Sequence, residues 1–108
     1  MDFELSGTVW EWRGPAPYYF VTVPADIAAE VAELAREVTY GWGMIPVRLV
    51  IGGSQWETSL WPKDGGYVVP LRAKVRRAEG IEVDDVVEIG MLLQTRDGRF
   101  VDQDDIGR

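Results

Sequence analysis

Tyr18-Tyr-Phe-Val-Thr-Val-Pro-Ala-Asp-Ile-Ala-Ala-Glu-Val-Ala-Glu-Leu-Ala-Arg-Glu-Val38 changes its period once, at Pro24. Residues 18–23 are aromatic or β-branched, the composition of a strand. Either Tyr19, Val21 and Val23 or Tyr18 and Phe20 can face inward. Pro24 then opens a helix, where its missing N–H costs nothing. Ile27, Val31, Leu34 and Val38 fall at helical spacing and form one apolar stripe. Asp26, Glu30, Glu33 and Glu37 repeat that spacing on an adjacent, solvated face, while Ala28, Ala29, Ala32 and Ala35 favour helix and close packing. Tyr40-Gly41-Trp42-Gly43 ends the helix.

On the N-terminal side, Phe3, Leu5, Gly7 and Val9 alternate with polar residues, as in a half-buried strand. Gly14-Pro15-Ala16-Pro17 is a turn. On the C-terminal side, Ile45, Val47, Leu49 and Ile51 alternate into Gly52-Gly53, a two-residue hairpin signal. Residues 54–61 return as the partner strand, and Pro62-Lys63-Asp64-Gly65-Gly66 reads as a second turn. A short strand over 67–70, a short helix over 71–78, a tight connection over 81–85 and a strand over 86–94 follow. The pattern strand, Val-Pro, helix, glycine turn, strand thus occurs twice, at Val23-Pro24 and at Val69-Pro70. It is either a coincidence of a common helix start or the mark of two similar half-barrels. The expectation is a mainly β fold: a small barrel over residues 1–94, with one long and one short helix. Residues 95–108 are mostly polar and read as a frayed tail.

Eighteen acidic residues against eleven basic ones give a net charge of −7, which argues against nucleic acid or anionic lipid as a partner of the whole surface. The absence of cysteine and histidine excludes disulfides, thiolate nucleophiles, Cys/His zinc sites and imidazole chemistry. Met-Asp-Phe-Glu-Leu lacks the basic start and apolar run of a signal peptide, and no apolar run is long enough for a membrane-spanning helix. A soluble, cytoplasmic protein, monomeric or weakly homodimeric and without a cofactor, is the expectation.

Over most of the chain a set of motifs resembles a known family. They are Trp10-Glu11-Trp12 before a Gly-Pro turn, Phe20-Val21-Thr22-Val23-Pro24, Gly41-Trp42-Gly43 and Gly52-Gly53. Trp56-Glu57-Thr58-Ser59-Leu60-Trp61-Pro62, Gly65-Gly66-Tyr67 and Val75-Arg76-Arg77-Ala78 complete the set. Together they are similar to the domain-of-unknown-function family numbered nineteen-oh-five. That resemblance implies a double-split β-barrel in which one chain supplies both halves, and it implies no activity. The family has Gly-Asp where this chain has Asp84-Asp85, and aspartate can take a left-handed turn position at some cost relative to glycine. Residues 67–89 are also similar in outline to the half-barrel of AbrB/MazE-type swapped-hairpin regulators.

Trp10, Trp12, Trp42, Trp56 and Trp61 carry large apolar surfaces that need burial, a partner or a ligand. Filling a small barrel and covering its ends is the commoner use of such rings. The alternative is an aromatic-lined concavity for a small apolar or planar ligand. It would use these five with Tyr67, and with Tyr18, Tyr19 and Tyr40 as further hydroxyls. Trp10 and Trp12 favour it, because they sit on the strand face opposite Phe3, Leu5 and Val9. Arg72, Lys74, Arg76 and Arg77 could contact phosphates in a DNA-binding or antitoxin-like regulator. Arg76 and Arg77 could equally pair with Glu79, Glu82, Asp84 or Asp85. Glu82, Asp84 and Asp85 could approach a hard cation, although aspartates at a tight turn more commonly bond their own backbone, and no metal site is expected. A cofactor-free enzyme would need a buried carboxylate, and no nucleophile–base pair is legible. The expected function is a non-enzymatic binding or interaction module.

Overall fold

The computed structural model describes residues 2–15, 18–38, 44–94 and 100–101. Two long strands, β1 (Asp2–Trp12) and β4 (Ser54–Lys63), decide the architecture, because each serves two partners in turn. The first seven residues of β1, 2–8, pair antiparallel with β6 (Val86–Gln94), and residues 9–12 pair with β2 (Tyr18–Thr22). Residues 54–60 of β4 pair with β3 (Ile45–Ile51), and residues 61–63 pair with β5 (Gly66–Leu71). The β2–β5 and β3–β6 pairs complete a ring in the order β1-β2-β5-β4-β3-β6, with β6 returning to β1. Closure gives each of these six strands a neighbour on both sides. A two-residue β7 (Phe100–Val101) pairs with the end of β6, and the rest of 95–108 lies outside the described residues.

The repeat seen in the sequence is a property of this ring. Exchanging the half β1-β2-helix-β3 with the half β4-β5-helix-β6 carries every strand pairing of the ring onto another that exists. The two long strands switch partners at equivalent places, between Thr8 and Val9 and between Leu60 and Trp61. Gly7 stands beside the first switch because the wall comes close there. A Cβ on it would lie 2.6 Å from Val21 Cγ1. The backbone of Val9 is held from a second side, since its N–H donates to Asp85 O at 2.8 Å and its carbonyl accepts from Asp84 N at 2.9 Å. Asp84 takes φ +77°, in the left-handed region that favours glycine. Asp85 Oδ2 accepts from Glu82 N at 2.8 Å, so this acidic turn bonds its own backbone.

The core is mainly aliphatic, with Phe3 as its aromatic member. Val9, Val21, Val31, Ile45, Val47, Leu49, Leu60 and Val69 are all wholly buried. The long helix α1 (Ala25–Val38) packs against β3 and β5 and starts where expected, with Ala28 N donating to Pro24 O at 2.8 Å. Its apolar stripe is narrower than the sequence implies. Val31 and Ala28 are buried, whereas Ile27 and Leu34 are only half-buried against the core. The side chain of Val38 is outside the described residues. The short helix α2 (Ala73–Glu79) buries Val75 and ends at Gly80, whose φ of 65° lets Ile81 N donate to Arg76 O at 2.9 Å. The second hairpin is tighter than the Pro62 to Gly66 reading. β4 continues through Pro62 and Lys63, and only Asp64 (φ 52°) and Gly65 (φ 82°) form the turn.

Candidate functional site

Beyond their switch points β1 and β4 flank β2 and β5, and the outward side of these four strands is aromatic. The register explains why. Trp12 lies opposite Tyr18, Trp10 opposite Phe20, Phe20 opposite Pro70 and Trp61 opposite Val68. Period-2 alternation then puts all of these on the side away from Val9, Val21 and Val69. The rings touch. Centroids are 5.0 Å apart for Trp10 and Phe20, 5.2 Å for Phe20 and Trp61 and 5.5 Å for Tyr18 and Trp61, the last two edge-on. Trp12 and Tyr18 stand at 6.1 Å. Such pairs contribute about 0.5–1.5 kcal/mol each beyond their burial.

Polar groups fix the rings in place. Trp10 Nε1 donates to Thr22 Oγ1 at 2.9 Å, and Lys63 Nζ stands 5.8 Å from the Trp10 ring centroid while pairing with Asp64 Oδ2 at 3.3 Å. Phe20 is 4% exposed yet lies outside the barrel's core cluster, so it is the floor of a second apolar layer built on the outer wall. The top of that layer is open to solvent: Trp12 is 46% and Tyr18 44% exposed. Trp10, Trp12, Tyr18, Phe20, Trp61, Pro62, Lys63 and Val68 line a shallow cavity of about 390 Å³.

A second cavity of about 390 Å³ adjoins it at Tyr18 and Trp61. Its other walls are Tyr19, Thr58, Pro70 and Leu71 on the barrel and Arg72, Ala73 and Arg76 at α2. The Arg76 guanidinium carbon stands over Tyr19, 3.6 Å from the ring centroid, and its Nε is buried without a hydrogen-bond partner. Arg72 Nη2 donates to Glu57 O at 3.0 Å. Lys74 and Arg77 are exposed on α2. Among the described residues none of these four cations forms an ion pair. The pairing expected for Arg76 and Arg77 with the nearby carboxylates is therefore absent. Glu79 instead accepts from Ser54 Oγ at 2.6 Å.

Of the residues named from sequence, the structure brings Trp10, Trp12 and Trp61 together. Trp56 sits elsewhere, opposite Leu49 on β4, half-buried against the core with its Nε1 unpartnered. Tyr67 also packs against the core, and its carbonyl accepts from Val23 N at 3.0 Å. Trp42 and Tyr40 lie outside the described residues. Tyr18 joins the outer cluster and Tyr19 the Arg76 cavity. Phe20 is the member that sequence reasoning missed. Its signal was present, because both faces of residues 18–23 are apolar and a strand needs that only where each face meets apolar neighbours. All buried side chains among the described residues are apolar, so no buried carboxylate is available there. No grouping of carboxylates among them could hold a metal ion, and no helix among them is long and apolar enough to cross a membrane.

Residues 6–91 match the family model described as Domain of unknown function (DUF1905). The chain belongs to that family. The DUF1905 span includes β2 to β5, both helices and most of β1 and β6, and therefore every residue that lines the two cavities. No curated protein matches the chain.

Proposed function

We propose that this DUF1905 domain is a non-enzymatic binding module whose outer aromatic layer takes a small apolar or planar ligand. The observation that carries the reading is the location of the rings. Trp10, Trp12, Tyr18, Phe20 and Trp61 form a contiguous cluster on the outside of a barrel whose interior is already filled by other, mainly aliphatic, side chains. Core packing does not require them, and an exposed apolar patch of this kind marks an interaction surface. The adjoining cavity is of the size that small ligands occupy, and its rings offer both faces and edges for stacking. In this reading the domain acts as a monomer or weak homodimer, and duplex nucleic acid is not its partner, given a net charge of −7.

A panel of planar and apolar compounds, read by thermal unfolding and by tryptophan fluorescence, tests the proposal. A ligand at ten times its Kd should stabilise the fold by about 1.4 kcal/mol, which raises Tm by roughly 4–8 °C. Trp12→Ala should weaken that ligand more than it weakens folding, because half of the ring is already in solvent. A diverse panel that shifts neither signal would count against a binding role for this face.

A further inference from the structure

We propose that the ligand of the aromatic face is an anion, a planar ring system bearing a carboxylate, with the carboxylate held by Arg76 and Arg72. The inference rests on the binding role proposed above and adds the chemistry of the ligand's polar end. Three observations lead to it. The two cavities share Tyr18 and Trp61, and the second is also lined by Arg72, Ala73 and Arg76, so a ligand reaching from the first into the second meets the α2 side chains. Two guanidinium groups line that second cavity, and among the described residues neither has a carboxylate partner. Arg76 is half-buried, and its orientation is set before any ligand arrives, since the group lies 3.6 Å above Tyr19 and its Nε is out of reach of water.

A guanidinium N–H shut off from water, as Arg76 Nε–H is, ordinarily has a hydrogen-bond partner. This one is unpaired in a chain with seven more acidic than basic residues. A surplus of carboxylates makes it easy to neutralise a cation and hard to leave one alone. The planar fork of a guanidinium matches a carboxylate with two parallel hydrogen bonds, a geometry that a stacked and therefore fixed arginine presents without further ordering. Arg72 is tethered less completely, through a single bond to Glu57 O, and can supply the second cation.

Isothermal titration with 2-naphthoate and with 2-naphthamide tests the assignment, because the two share ring and shape and differ in charge. Naphthoate should bind roughly tenfold or more tightly than naphthamide, against the repulsion of the protein's overall charge. Its affinity should fall as sodium chloride rises from 20 to 300 mM, while that of naphthamide stays level. Arg76→Gln should remove most of the advantage of naphthoate over naphthamide, Arg72→Gln a smaller part of it, and Trp61→Ala should weaken both ligands. Should Arg76→Gln fail to fold, Arg72→Gln and the salt series on the unmodified protein carry the test. Equal binding of both compounds, indifferent to salt, would overturn the anion assignment and leave the aromatic face standing. Binding of neither would overturn both.

Discussion

Gly7→Ala puts one methyl group where the paired strands β1 and β2 leave no room for it. The new Cβ would stand 2.6 Å from Val21 Cγ1 and 3.4 Å from Thr22 O. Val21 cannot turn away, because it is wholly buried and β-branched. Overpacking of this kind costs about 1–3 kcal/mol. Opposing it, alanine is favoured over glycine in a strand interior by roughly 0.5–1 kcal/mol. The net is a loss of up to about 2.5 kcal/mol, centred near 1 kcal/mol, and its sign is set by the clash. Val21→Ala alone opens a cavity and should cost roughly 1.5–3 kcal/mol. In that background the clash is gone, so adding Gly7→Ala should be neutral or should stabilise by up to about 1 kcal/mol. Urea unfolding of the four proteins, followed by tryptophan fluorescence and circular dichroism together, gives the cycle. A Gly7→Ala protein as stable as its parent, or additive effects in the double variant, would refute the close approach of β1 and β2 at the switch.

Other outcomes follow from particular positions. Val31→Ala, at a wholly buried site, should destabilise by roughly 1.5–3 kcal/mol and Leu34→Ala, half-buried, by only about 1–2 kcal/mol, an order checked by the same urea series. Asp84→Gly should raise stability by about 0.5–1 kcal/mol, read as an increase in the urea midpoint, because it relieves φ +77°. Gly52→Ala should lower stability by about 1–2 kcal/mol. It strains a residue at φ +55° and sets a methyl group against the Glu79 carboxylate that accepts from Ser54. Ser54→Ala should recover none of that loss.

Periodicity and turn chemistry made much of the barrel legible. The alternation of residues 3–9, the Gly52-Gly53 hairpin and the Pro24 helix start all stand where the sequence puts them. The change of partner along β1 and β4 left no such trace. A strand keeps its period of two whichever neighbour it bonds, so a switch between Thr8 and Val9 is invisible locally. For the same reason Pro62 reads as a turn although it lies within β4. The narrowing of the α1 stripe is a tertiary effect. Ile27, Val31 and Leu34 look alike by spacing, and only their position over the barrel ranks them. At the site, the two-sidedness of β1 was plain from Trp10 and Trp12 against Val9. Which face of β2 joined them was not, because Tyr18 and Phe20 are as apolar as Val21 and Val23. Arg76 was the least legible residue. Its stacking on Tyr19 joins positions 57 residues apart, a contact that ring closure and the placement of α2 create.

The indole N–H resonances of protein labelled with nitrogen-15, assigned by single tryptophan-to-phenylalanine variants and followed during titration with the uncharged 2-naphthamide, test the aromatic face most directly. The predicted result is that the signals of Trp10, Trp12 and Trp61 move together and saturate with one Kd, while that of Trp56, packed against the core, stays in place. Movement of Trp56 alone, or no movement of the three outer indoles up to the solubility of the ligand, would contradict it.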